Sequence, residues 1–227
     1  MPEQVLLEAR NLGRRHPDGR RWLLQDLSLT IDSGTRCAVA GPSGAGKTLL
    51  LRALAGLDPL DTGQIAWNGC VVRRDALPAF RGAVVYLHQR PALLEEDVEA
   101  ALHRPFALRA HRHRRFDRGR IVGLLERLGR DESFLTKRVG DLSGGEAQLT
   151  ALLRTMQLDP SVLLLDEPTA ALDPRTETAV EQLVTAWAAE DGAERAFLWV
   201  THDAEQARRM GERTLVLDVG RLIDGGQ

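Results

Sequence analysis

The chain is poor in the residues on which several common kinds of protein depend. Its 227 residues include two cysteines, Cys37 and Cys70, far apart and in no CxxC pair. That argues against a disulfide scaffold or a zinc knuckle and makes a reducing compartment the default. Aromatic side chains make up only 4%, too few for a surface on which bases stack. No run approaches the ~18 apolar residues of a membrane span. The opening MPEQVLLEAR lacks the basic start and apolar stretch of a signal peptide. An excess of one charge is missing too: 30 basic residues stand against 32 acidic ones, a net −2 with no general pull toward nucleic acid. Lysine is nearly absent, since of the 30 basic residues only Lys47 and Lys137 are not arginine.

What is present is ordinary globular chain, 43% hydrophobic and 27% charged, long enough for one domain with a subdomain. Leu27, Leu29 and Ile31 alternate with Ser28 and Thr30, the period of a half-buried strand. The residues 36–40 are short and apolar and run into a glycine-rich turn. Residues 64–67, Asn68 with Gly69, and 70–72 predict a hairpin whose turn needs left-handed residues. Strand signals reappear at 83–87, 162–165, 197–200 and 214–217, and are absent from about 90 to 160. Ile121, Leu124, Leu125 and Leu128 recur at helical spacing up to Gly129. Asp173 followed by Pro174 starts a helix whose inner face is Val180, Leu183, Val184 and Trp187. The ends of the chain thus read as an α/β layer with a helical insert between them.

The most specific motif is Gly41, Pro42, Ser43, Gly44, Ala45, Gly46, Lys47 and Thr48, followed by Leu49. It fits G-x-x-x-x-G-K-[ST] and lies between a strand and a helix, as that motif requires. The glycines let N–H groups curl inward as an anion nest, and the helix start adds its positive end. In an arginine-dominated chain Lys47 supplies a compact charge able to reach β- and γ-phosphates, where a planar guanidinium fits poorly. Thr48 can offer its hydroxyl to Mg2+. Asp166 and Glu167 close the apolar run 162–165, at the strand edge where open α/β sheets bind ligands. An isolated acidic pair there is ordinarily just solvated. Beside a phosphate loop, Asp166 suits the Mg2+ shell and Glu167 suits orienting or deprotonating a water. Leu142, Ser143, Gly144, Gly145 and Glu146 precede a helical stretch to about Met156. Alone these would be a capped helix. With a phosphate loop in the same chain they suggest a second anion nest, Ser143 being an extra donor, and a nucleotide shared between two copies.

These motifs, in this order, resemble the nucleotide-binding subunit of an ATP-binding cassette (ABC) transporter over essentially the whole chain. The resemblance implies an α/β P-loop NTPase: a RecA-like core at 1–89 and 159–227, an N-terminal antiparallel β-subdomain, and an inserted helical subdomain at 90–158. It makes 41–48 the Walker A loop, Gln89 the Q-loop glutamine linking Mg2+ and the water to the helical insert, and 142–146 the signature facing the opposite protomer. It makes 162–167 the Walker B strand, Asp173 a contact to the second copy, and His202 the switch histidine reaching the γ-phosphate. Glu167, His202, Gln89 and Lys47 are then catalytic, and Thr48, Gln89 and Asp166 surround the metal. ATP and Mg2+ are expected, with ATP-driven homodimerisation and a separate membrane permease as partner. The expected place is cytoplasmic, peripheral on the inner face of the cell membrane. Three positions depart from the family: His16 where an aromatic ring usually stacks on adenine, Glu146 where glutamine is commoner, and Leu149 where an arginine usually follows the signature.

Residues 103–120 hold seven arginines, three histidines and one acid, Asp117. A solvated face is the plain reading, and His111 and His113, two apart, make a poor metal pair on a helix. By resemblance this stretch lies near the permease, and reversing Arg112, Arg114 and Arg115 is expected to weaken membrane recruitment. Motifs at 135–146 and 198–203 resemble small metal- or iron-exporter ATPases, with lipoprotein-release and macrolide-efflux ATPases next. With the sequence ending soon after Leu217, the regulatory domain of sugar importers is not expected. A non-transport ABC ATPase acting on nucleic acid or ribosomes is the rival class. Leu142 lies only 94 positions after Thr48, without sustained heptads between, so no nucleic-acid partner is expected.

Overall fold

The computed structural model describes residues 4–111, 113–190 and 192–223. Strands β1 (Val5–Arg15) and β2 (Trp22–Asp32) form a long hairpin. Then come β3 (Arg36–Ala40), helix α1 (Lys47–Leu54), β4 (Thr62–Trp67), β5 (Cys70–Val71), α2 (Leu77–Ala83) and β6 (Val84–Leu87). A helical stretch follows, α3 (Val98–His103), α4 (Arg118–Arg127) and α5 (Gly144–Met156), with short 3-10 turns among them. The chain closes with β7 (Val162–Asp166), α6 (Pro174–Ala188), β8 (Ala196–Val200), α7 (Ala204–Met210), β9 (Arg213–Asp218) and β10 (Arg221–Ile223).

Two sheets result. One is antiparallel, in the order β2-β1-β4-β5, and the other runs β10-β9-β3-β8-β7-β6. Within the second, β9, β3, β8, β7 and β6 are parallel and only β10 is antiparallel. Parallel neighbours need crossovers, and the helices supply them on the faces of the sheet. The expected α/β P-loop architecture and antiparallel β-subdomain are therefore observed. The Asn68–Gly69 turn takes φ of 48° and 76°, as a primed hairpin turn requires.

The central strands feed two cores at once. Val162 and Leu164 of β7, with Ala196, Leu198 and Val200 of β8, pack toward α1 and the antiparallel sheet. Leu163, Leu165, Phe197 and Trp199 point the other way, onto α5 and α6. A strand buried on both faces reads as a continuous apolar run, which is why 162–165 carries no polar residue. Truncating Leu163 or Leu164, both fully buried, would cost about 2–5 kcal/mol. Leu149, in the place of the usual arginine, is 1% exposed in the second core. There it packs in the second apolar core, where a charged residue would need a buried partner.

The basic stretch differs from a plain solvated helical face. Between His103 and Arg118 the described chain makes 3-10 turns and irregular backbone rather than an α-helix. His103 stacks on Phe116 with ring centres 3.9 Å apart. His111 is buried against Gly82 of α2, and burial pushes its imidazole below its ordinary pKa. Arg118 pairs with Glu99 and Glu132. Arg112 lies outside the described residues. No group of three or more histidine, cysteine, aspartate or glutamate residues suited to a metal occurs among the described residues.

Candidate nucleotide site

The phosphate loop is shaped by its glycines. Gly41 has φ 143° and a Cβ there would fall 2.1 Å from the Leu217 carbonyl oxygen, so no side chain fits. Gly46, φ 103°, is the left-handed residue before α1 and offers no side chain to cap the helix. Five helices have a capping carboxylate or hydroxyl: Asp97, Asp117, Ser143, Asp173 and Asp203. α1 has none and no acid in its first turn. Its open N–H groups and positive end are what an anionic ligand would use. Lys47 folds back over the loop, Nζ donating to the carbonyls of Gly41 (2.7 Å) and Pro42 (3.0 Å). The β9–β10 turn braces the loop from behind, Gly220 N–H donating to the Ala45 carbonyl at 3.0 Å.

Thr48, Asp166 and Gln89 sit at the carboxyl edge of the parallel sheet. The Thr48 hydroxyl donates to Asp166 Oδ2 at 2.8 Å, and the Tyr86 hydroxyl donates to the same oxygen at 2.9 Å. Asp166 is 4% exposed. Burial and the adjacent Asp166 charge hold the Tyr86 phenol well above its ordinary range, so it stays a donor. A hydroxyl, a carboxylate and the Gln89 amide are hard oxygen donors of the kind Mg2+ takes, and the donor set fits that ion.

Glu167 is placed by strain and by two clamps. Its φ is 47°, a left-handed value uncommon outside glycine, asparagine and aspartate. Its N–H donates to the Val200 carbonyl at 3.1 Å, and its carbonyl accepts from Gln148 Nε2 at 2.8 Å. So held, the carboxylate accepts from Gln89 Nε2 at 2.7 Å and lies 3.7 Å from His202 Nδ1. Three residues separated by up to 113 positions in sequence meet at one group. His202 is 76% exposed at its side chain, free to turn toward a ligand.

Ser143 and Glu146 behave differently from the expected donor nest. Ser143 Oγ accepts from the Glu146 N–H (3.2 Å), and the Glu146 carboxylate accepts from the Ser143 N–H (3.0 Å). This reciprocal capping box satisfies donors that an anion would otherwise use. The Ser143 hydroxyl keeps its own proton to donate. Lys137, the only other lysine, bonds Glu146 at 2.6 Å and holds that carboxyl below its ordinary range. Gly145 abuts the loop before Asp173, since a Cβ there would fall 2.8 Å from the Ala171 carbonyl oxygen. Asp173 accepts from the N–H groups of Arg175 and Thr176 and from the Thr176 hydroxyl, which lowers its pKa. His16 lies in the turn after β1, its Nδ1 3.0 Å from Asp18 Oδ1, and no described hydrogen bond joins it to the phosphate loop.

Sequence reasoning missed Tyr86 and Gln148. Tyr86 is the chain's single tyrosine, at a strand end. Gln148 was visible as a polar residue on the apolar face of α5, where it is 1% exposed.

Comparisons with known proteins point to one family. The family model for ABC transporters matches residues 24–170. An Fe(3+) ions import ATP-binding protein, FbpC, of Pseudomonas fluorescens is 36% identical over 89% of this chain and 56% of its own length. The chain thus spans little more than half of that relative. A probable iron export ATP-binding protein, FetA, of Escherichia coli is 34% identical over 88% of this chain and 86% of its own. Among solved structures, the dimeric ATP-binding cassette MJ0796 in a post-hydrolysis state bound to ADP and Pi superposes with a TM-score of 0.81. It is 25% identical, with 96% of each chain covered.

Proposed function

The chain belongs to the ABC transporter family as an ATP-binding subunit, and on that premise we propose that it hydrolyses ATP as a homodimer to drive a separate membrane permease. The observation that carries this reading is the meeting of Gln89, Glu167 and His202 beside the Thr48–Asp166 pair. The open start of α1 and Lys47 bind the phosphates, and Lys47 exchanges its loop carbonyls for phosphate oxygens. Glu167 accepts the proton of the attacking water at its carboxylate. Gln89 orients that carboxylate, and His202 turns in to the γ-phosphate. Bound at Thr48, Asp166 and Gln89, Mg2+ would neutralise charge on the β- and γ-phosphates. Residues 41–49 and His16 surround the nucleotide. Leu142, Ser143, Gly144, Gly145 and Glu146, with Asp173, meet it from the second copy. The helical subdomain at 90–158 moves against the core at 1–89 and 159–227 as the dimer opens and closes. The subunit is peripheral to its permease on the cytoplasmic face. No described helix is long and apolar enough to cross a membrane.

Glu167→Gln tests the reading. Turnover should fall by about 10²–10⁴, the usual worth of a positioned general base, while nucleotide binding persists. Undiminished turnover would remove Glu167 from the role of base.

For cargo we propose a metal ion, moved outward. Iron appears in the names of both relatives, and the exporter FetA is matched over 86% of its length. Deleting the protein should raise cellular iron. A fall would favour import, the direction printed for FbpC, and no change in iron or another metal would favour the lipoprotein-release or macrolide-efflux alternative.

A further inference from the structure

The site described above does not use a polar cluster buried behind it. At its centre is Gln206, 4% exposed, on the first turn of α7. Its two Nε2 hydrogens are shared among Thr169 Oγ1 (2.9 Å), Glu181 Oε1 (2.9 Å) and Glu177 Oε1 (3.1 Å). Its Oε1 accepts from Trp199 Nε1 at 3.2 Å, from the strand beneath. Arg209 closes the cluster, bonding Glu181 at 2.8 and 3.0 Å and Glu177 at 3.2 Å. Only a primary amide can accept from the indole and donate to two carboxylates at once. A carboxylate at 206 would set three acids against one guanidinium. Burial and the neighbouring Glu181 charge already raise the Glu177 carboxyl.

The positions in sequence matter as much as the bonds. Thr169 is two residues beyond Glu167. Gln206 is four beyond His202. Glu177 is one turn beyond Asp173, the residue that caps α6. A cavity of about 170 Å³ lies over the cluster, lined by Glu167, Thr169, Thr201, His202 and Asp203 along with Gln206. One side chain therefore ties together the loop that carries the proposed base, the loop that carries the switch histidine, and the helix begun by the proposed dimer contact.

We propose that Gln206 is a positioning residue that sets the separation of Glu167 and His202 by holding the Thr169 loop against α7. The inference rests on the reading of Glu167 and His202 given above. Misplacing a reacting group by about 1 Å costs on the order of 10²-fold in rate. Gln206→Glu should accordingly lower kcat by about 10- to 100-fold while KM for ATP stays at its wild-type value, since the phosphate loop is untouched.

The test compares steady-state ATP hydrolysis and melting temperature for the wild type, Gln206→Glu, and the swap Gln206→Glu with Glu177→Gln. The swap moves the amide across the cluster and keeps the number of carboxylates, so it should restore most of kcat. In a His202→Ala background the Gln206→Glu loss should shrink, because one of the two residues whose separation it sets is gone. A Gln206→Glu chain with wild-type kcat would overturn the inference. So would a swap that restores the melting temperature but not kcat, or a Gln206→Glu loss of undiminished size in the His202→Ala background. A wild-type chain that does not hydrolyse ATP would instead overturn the site reading itself.

Discussion

The α1 and α5 helices both begin at glycine-containing motifs, yet they treat their first N–H groups differently. α1 follows a left-handed Gly46, has no capping side chain and carries Lys47 at its start. α5 follows Ser143, whose hydroxyl and whose partner Glu146 close a capping box, with Lys137 neutralising the acid. The first helix leaves its donors open and gives up local stability for it. The second satisfies its Ser143 and Glu146 N–H groups within the chain and keeps the Ser143 hydroxyl proton to offer. An open start suits binding phosphate in the single chain. A closed start suits contributing to a nucleotide already held by a second copy.

The comparison breaks most sharply at Lys47. Lys47→Ala should weaken nucleotide binding by about 100-fold, or roughly 2.7 kcal/mol, the scale of removing a charged donor from a preorganised site. Titration of a fluorescent ATP analogue reads this, and unaltered affinity would deny α1 the phosphate role. At the other helix the same analogue should bind a Ser143→Ala chain as tightly as wild type. What that change costs is the cap, about 1 kcal/mol, seen as a melting temperature lower by roughly 2–4 °C. A loss of ATP affinity equal to that of Lys47→Ala would erase the distinction between the two helices.

Glu146 sharpens it further. Glu146→Gln preserves a reciprocal capping box, because glutamine also reaches the Ser143 N–H. It removes a negative charge from the helix start that would face phosphate. Charge–dipole terms there are about 0.3–1 kcal/mol, so ATP-dependent self-association should tighten by at most about five-fold. Weaker association would mean that the Lys137 ion pair is itself needed. The smallest effect is one of pH. Lys137 and the Ser143 N–H hold the folded Glu146 carboxyl below 4.5, so the stabilisation is complete above that pH and is lost as pH falls through the lowered value. Melting temperature between about pH 5 and pH 3 should therefore fall less steeply in Glu146→Gln than in wild type. Equal slopes would contradict the contribution.

The sequence made local chemistry legible and long-range chemistry obscure. The phosphate loop could be read because its glycines answer a backbone demand, as the 2.1 Å approach of the Leu217 carbonyl to Gly41 shows. The strand at 162–165 could be read because burial on both faces leaves it no polar residue. The helix from Ser143 to Met156 occurs where its pattern places it, and its S-x-x-E start closes a capping box. Tyr86 on Asp166, Gln148 on the Glu167 carbonyl and the Gln206 cluster were not visible. Each joins elements distant in the chain, and no periodicity marks a hydrogen bond between them. The 3-10 turns and irregular backbone at 104–111 and 113–117 were also hidden, because their order comes from His103 on Phe116 and His111 against α2.

The central claim is that the open helix start binds ATP in one chain and the closed one completes the site from a second. Sedimentation of Glu167→Gln with Mg·ATP tests it most directly, alone and with Ser143→Arg added to the same chain. The account predicts a dimer that forms only with ATP, and a Ser143→Arg chain that still binds ATP but stays monomeric. A chain that remains monomeric with ATP bound, or a Ser143→Arg chain that dimerises as readily as its parent, would contradict it.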